Sequence, residues 1–333
     1  MRPCPRAGIE NGAVDLTADT AEQYRDFALD ARDYSPCYED WCTRVASDPE
    51  VLAWLDRLPP PKRQPNLVLA SARWHGVPAP GPYDAFRRAL LSDEGTIVAT
   101  IMSRSTQTNE VGRLATLVPA FALVASGPIA LIEVGASAGL NLFPDRYSYS
   151  WGAGTIGSGP LLSATVRGPA PLPAIVPAVA WRGGIDLNPL DVTDADAMRW
   201  LSFLIWPEHD ERRERLAAAV EIARASPPQL VRGDLLEELP DLVARAAAHG
   251  PVVVFHSAVA AYLSEEDRAR FQAMMTGLVA DGRCHWVSNE APNVLPDVTA
   301  TGPVPPEARG FVLGVDGQAV AMAHGHGAWL RWW

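Results

Sequence analysis

The segment with the clearest chemical potential is Glu133-Val134-Gly135-Ala136-Ser137-Ala138-Gly139, which ends the apolar run 130–134. A strand that runs into a glycine-rich turn can bring backbone amides close to a ligand, because glycine takes up positive φ at no steric cost. An acidic side chain at the end of a neighbouring strand can then accept hydrogen bonds from both hydroxyls of a ribose. Asp186 occupies that place, just beyond the second apolar run 178–183. Asp234, in Val231-Arg232-Gly233-Asp234, closes a third run where an adenine edge would lie. Glu133, Gly135, Ser137, Gly139, Asp186 and Asp234 are therefore the predicted cofactor-binding residues. Two features depart from the dinucleotide fingerprint: Ser137 stands for the middle glycine, and Asp186 lies far beyond a spacing of about 20 residues. A Gly/Pro-rich stretch at 151–177 reads as an insertion that accounts for the second departure and leaves the identity of the ribose acid open.

The same residues also spell G-x-S-x-G, the nucleophile elbow of α/β-hydrolases. Ser137 would then be the nucleophile, with His324 or His326 late in the chain as its base. Against this alternative, the segment upstream reads as helical and holds no earlier sheet strands. No His-Gly-Gly-Gly oxyanion segment precedes the serine, and a histidine that ends a hairpin lacks the usual following helix.

Other residues could do chemistry beside such a turn. His256 and Ser257 end a fourth apolar run, and a histidine there could serve as a base near neutral pH. Glu290 follows a fifth run, at the carboxyl edge where open α/β sheets bind ligands. Gln107, Thr108, Asn109, Glu110 and Arg113 form a dense polar cluster before an apolar helix. It reads either as a ligand-contacting segment or as a helix cap with a solvated face. His256, Glu290 and Glu110 are the catalytic candidates; Gln107, Asn109, Arg113, Tyr147 and Ser257 are the substrate or lid contacts. Asp145-Arg146-Tyr147 also reads as an ion pair at the end of the first crossover helix. His324 and His326 point the same way on a strand but have no carboxylate partner in view, so no metal is expected.

The elements that must position these groups divide in two. Up to about Gly127 the apolar period is helical. Thr20 with Gln23 reads as a capping box before Tyr24, Phe27, Ala28 and Ala31, and Asp48-Pro49 opens a second helix. Segments 66–74, 83–91, 97–102 and 111–125 continue the pattern. From Ile129 onward short apolar strands alternate with helices, which predicts a parallel sheet with crossover connections. The strands are 130–134, 178–183, 229–231, 252–256 and 284–288; the helices include 195–206, 211–225, 240–249 and one capped by Ser264. A hairpin turning at Asp316-Gly317 follows. The expectation is a helical lid over residues 1–127 and a Rossmann-like cofactor-binding domain over 128–333. Five parallel-type strands followed by an antiparallel hairpin match the element order of class I methyltransferases, and make the expected cofactor S-adenosylmethionine.

Composition sets the outer limits. The 333 residues are 48% hydrophobic and 20% charged, with a formal net charge of −11, as befits a globular protein that repels phosphate backbones. No basic run offsets that charge, so nucleic acid is not an expected partner. Cys4, Cys37, Cys42 and Cys284 show no C-x-x-C spacing, which suits a reducing compartment. No apolar stretch is long enough to span a bilayer, and residues 1–12 carry no signal-like core. A cytoplasmic, soluble protein acting on a small molecule is expected. The eleven tryptophans suggest packing.

Arg104 with 107–113, Ile132 to Leu142, Asp145-Arg146-Tyr147, Arg182 to Asp186, Pro189 to Val192, Ile205-Trp206-Pro207 and Val253 to Ser257 with Tyr262 together resemble the bacterial family catalogued as domain of unknown function 2332. The resemblance covers most of the chain. It implies a Rossmann-type, methyltransferase-like fold and no particular substrate.

Overall fold

The computed structural model describes residues 19–107, 109–124, 127–152 and 154–333. In chain order, helices α1 (Thr20–Ala31), α2 (Pro36–Val45), α3 (Pro49–Leu55), α4 (Pro65–Trp74), α5 (Tyr83–Leu91), α6 (Thr96–Ser103) and α7 (Leu114–Val124) precede strand β1 (Ile129–Val134). Short strands β2 (Ser148–Ser150), β3 (Thr155–Gly157), β4 (Leu161–Ser163) and β5 (Thr165–Arg167) lead to β6 (Val179–Asp186). Then come α8 (Ala195–Leu204), α9 (Asp210–Ala225), β7 (Gln229–Arg232), α10 (Leu235–Ala246), β8 (Val252–Ser257), α11 (Glu265–Ala280) and β9 (His285–Glu290). The chain closes with α12 (Pro296–Thr299), β10 (Phe311–Val315), β11 (Gln318–Ala323) and β12 (Trp329–Trp332). No helix among the described residues is long and apolar enough to cross a membrane.

Two compact units result, and each is discontinuous in sequence. The described part of 1–108 joins residues 195–214, while 109–194 joins 215–333. In the first unit the tryptophans are structural: Trp41 stacks on Phe86 with ring centroids 4.8 Å apart and donates to the Gly81 carbonyl. Ser35 caps α2 by accepting from the Tyr38 amide, and its hydroxyl donates to Glu208. The Arg73 guanidinium donates to the carbonyls of Phe203 and Ile205, which ties the late segment to the early helices. The capping box expected at Thr20 is not formed: Asp19 is the N-cap residue, and the Thr20 hydroxyl donates to Asp56 instead.

The second unit is built on a nine-stranded sheet in the order β5-β12-β11-β10-β9-β8-β1-β6-β7. β7, β6, β1, β8 and β9 are mutually parallel, and β10, β11 and β12 add antiparallel neighbours beyond β9. The α/β class with a large, mostly parallel sheet is as expected. β12 and β5 were not foreseen, because four- and three-residue strands carry too little period to register. Every residue of β1 and β8 is buried, as continuous apolar strands covered on both faces must be. On one face Leu239, Leu242 and Val243 of α10 and Phe271 and Met275 of α11 join Ala130, Ile132, Val134 and Val254 in a single core. On the other, Phe121 of α7 meets Phe255 edge to face at 5.2 Å.

α10 starts five residues earlier than the expected Pro240. Asp234 caps it by accepting from the Leu236 amide, and Pro240 lies inside the helix.

Candidate functional site

The turn after β1 is left-handed at three positions: Gly135, Ser137 and Gly139 have φ of 68°, 51° and 69°. Its amides are largely engaged within the protein. Gly135 and Ala136 N–H donate to the Ile185 carbonyl, Ser137 N–H to Asp186 Oδ2 at 2.8 Å, and Gly139 N–H to the Ala136 carbonyl. Asn109 clasps the turn from outside, with Nδ2 donating to the Ala136 carbonyl and Oδ1 accepting from Leu140 N–H. The space over Gly135 is occupied, since a Cβ there would come within 2.5 Å of a Val259 methyl.

No α-helix follows this turn. Residues 140–142 and 144–146 form single 3₁₀ turns that lead directly to β2, so the expected first crossover helix is a correction. Pro144 is the physical cause, because it biases Phe143 away from the helical region and cannot continue a helix begun at Leu140. Asp145 consequently pairs chiefly with Arg182 of β6 and not with a helix end. Tyr147 is buried with its hydroxyl unpartnered, and burial raises its pKa.

The two acids of adjacent strands flank the turn. Glu133 is 4% exposed; Oε1 accepts from Asn141 Nδ2 at 2.9 Å, and Oε2 has no partner. Burial pushes its pKa up to about 8, opposed by the Asn141 bond and the Arg113 charge and reinforced by Asp186. Asp186 is part exposed and braces the loops, accepting from Ser137 N–H and, through Oδ1, from Asn188 N–H. Ser137 Oγ and Asn141 Oδ1 are buried without partners. Asp234, as the α10 cap, is an exposed structural residue and not part of this cluster.

At the ends of β8 and β9, His256 is fully buried. Its Nδ1 lies 2.6 Å from Glu290 Oε1, and its Nε2 accepts from the Trp286 indole at 3.0 Å. Since Nε2 accepts, the proton resides on Nδ1, and neither nitrogen faces a ligand. The base role expected of His256 is thus not available in this arrangement. Glu290 Oε1 also accepts from the amides of Val259 and Ala260, which anchors the loop that carries Val259. Of the catalytic candidate Glu290, Oε1 is thus engaged in bracing, while Oε2 is buried without a partner. Ser257 and Asn289 pair on the opposite face through Asn289 Nδ2, donating to Ser257 Oγ at 2.8 Å. Asn289 was not picked out from the sequence, because a single asparagine just past the fifth run belongs to no motif.

Arg113 is buried and reaches across this edge. Its Nε donates to the Gly325 carbonyl and its Nη1 to the Ser257 carbonyl, with the guanidinium over Phe311. Glu110 caps the turn at Gly112 through its own carboxylate. Gln107 belongs to the first unit, and Thr108 lies outside the described residues. The His326 amide donates to His324 Nδ1.

Fold and site together define an α/β protein whose polar side chains converge at the carboxyl edge of a mostly parallel sheet. The family model described as "Uncharacterized protein conserved in bacteria (DUF2332)" matches residues 21–332, and the chain belongs to that family. No curated protein and no solved structure matches it.

Proposed function

We propose that the second unit is a Rossmann-like, S-adenosylmethionine-dependent methyltransferase acting on a small molecule. The observation that supports this most is the sheet order. The five parallel strands run 3-2-1-4-5, reversing between β1 and β8, and open α/β sheets bind ligands at the carboxyl end of such a reversal. Glu133 and Asp186 stand at that point on adjacent strands. The 3₁₀ turn after Gly139 argues further for a phosphate-free nucleoside, because dinucleotides seat their pyrophosphate on an α-helix N-terminus.

The residues present fit such a group. Glu133 Oε2, Ser137 Oγ and Asn141 Oδ1 are buried without partners, and they complement the hydroxyl and ammonium donors of the cofactor. Glu133, Ser137, Asn141 and Asp186 would hold it, since Val259 closes the space over Gly135. When bound, the cofactor supplies an electrophilic methyl group. The chain itself contributes positioning and exclusion of water.

Calorimetric titration with S-adenosylmethionine, S-adenosylhomocysteine and NAD tests the reading. The two sulfur nucleosides should bind and NAD should not, with affinity reduced about tenfold in Asp186→Asn. Absence of binding by both rejects it. Binding without turnover on a broad acceptor panel would instead mark a non-catalytic nucleotide-binding module.

A second reading, a serine hydrolase, is favoured by the positive φ of Ser137 and its buried, unpartnered Oγ. It lacks a nucleophile–base hydrogen bond. Labelling by a fluorophosphonate that disappears in Ser137→Ala would establish it, and no labelling would remove it.

A further inference from the structure

Of the phenylalanines, tyrosines and tryptophans among the described residues, only Tyr34 and Tyr262 are exposed. Tyr34 stands edge-on to His209. Tyr262 is 66% exposed and has no ring partner among the described residues. Its neighbours Ala258, Val259, Ala261 and Leu263 pack against the core of the second unit, so the 3₁₀ turn Ala260–Tyr262 holds the phenol ring out by itself.

The loop beneath that ring is fixed from several sides. Glu290 Oε1 accepts from the amides of Val259 and Ala260, and Arg268 donates to the carbonyls of Ala260 and Leu263. Ala258 sits at φ 58°, and its amide donates to the Asn289 carbonyl. A residue other than glycine keeps such a conformation only where its surroundings determine it. An aromatic ring on a fixed loop can meet a ligand at little entropic cost, because few torsions are lost.

The ring also has a definite place. Val259 of the same loop covers Gly135, and the Tyr262 amide donates to the Val259 carbonyl at 3.0 Å. Tyr262 therefore stands beside the glycine turn, at the carboxyl edge of the sheet. Its hydroxyl pKa is raised, chiefly by burial, with Arg113 opposing and Glu290 adding. A ring open to water whose hydroxyl is nonetheless crowded by protein lines a recess and not a convex surface. A second flat ring complements that face, since offset stacking adds attraction beyond the area covered.

We propose that Tyr262 is the platform for the small molecule bound at this edge, and that the molecule carries a planar aromatic ring. The proposal rests on the preceding reading only in that a small molecule is bound there.

Ligand-observed NMR titration of the full chain with 2-naphthol and decahydro-2-naphthol provides the test, each with and without S-adenosylmethionine. The two probes share a carbon skeleton and a hydroxyl. The saturated one is no less apolar, so a preference for the flat one reports stacking and not area. Wild type should bind 2-naphthol at least about fivefold more tightly than the saturated probe. Tyr262→Phe, which keeps the ring, should retain that preference, and Tyr262→Leu should abolish it. Both variants should keep the wild-type thermal transition, because the side chain they change is largely exposed. No binding of 2-naphthol, equal binding of the two probes to wild type, or a preference that survives in Tyr262→Leu would each overturn the assignment. If the preference holds while S-adenosylmethionine and S-adenosylhomocysteine do not bind, the platform stands and the methyltransferase reading fails. If those nucleosides bind and the preference is missing, only the platform falls.

Discussion

A carboxyl group buried with one oxygen unpartnered ties its titration to the stability of the fold. Glu133 holds its proton up to about pH 8 in the folded chain, against an ordinary value of 4.5. Between those values the folded state binds one proton more than the unfolded state, so this group's contribution to stability falls as pH rises, by up to about 1.4 kcal/mol per unit. Above the folded value the slope vanishes. Urea unfolding of wild type and Glu133→Gln across that window should give a difference curve that declines with pH, and a flat difference would mean that the carboxyl is not so held. Asn109 is the other residue whose role is testable alone. Asn109→Ala removes both bonds that clasp the glycine turn and should cost about 1–3 kcal/mol, with faster amide exchange at Leu140. The polar cluster at 107–113 was visible as a cluster, but whether Asn109 holds a ligand or a loop depended on what lay opposite it. Ala136 and Leu140 lay opposite.

At the scale of elements, the turn after β1 is held by both conformation and packing. Gly135→Ala would strain a backbone at φ 68° and drive a methyl into Val259. A loss of about 2 kcal/mol or more is expected, of which Val259→Ala in the same chain should restore only the packing part. A double-mutant cycle by thermal denaturation separates the two; strict additivity would show that Val259 does not press on the turn. Asp234→Ala should cost about 1 kcal/mol as a lost N-cap and leave nucleoside affinity unchanged, the opposite of what an adenine contact requires. Strands β1 and β8 were legible because fully buried parallel strands read as unbroken apolar runs, while β6, β7 and β9 were legible as shorter apolar runs set between helical segments. The crossover after β1 was misread because glycine spacing was weighed above Pro144, which decides whether a helix can follow.

For the second unit as a whole, burial on both faces makes β1 and β8 the part that opens last. Hydrogen exchange should be slowest at Ile132 and Val254, and far faster in β3, whose three residues are all part or fully exposed. Comparable protection in β3, which belongs to a separate three-stranded sheet, would mean that β1 and β8 are not the last part of the unit to open. Leu131→Ala, at a site with no exposure, should cost about 2–5 kcal/mol by urea unfolding.

Periodicity and composition alone determined the α/β class, the run of parallel strands and the position of the glycine turn, because each depends on near neighbours in the chain. Only the tertiary structure decided what the polar residues do. Residues 34 positions apart meet as His256 and Glu290, and Ser257 finds Asn289 across adjacent strands. Whether a buried polar atom is satisfied depends on the group that folding brings opposite it, and linear spacing does not carry that information.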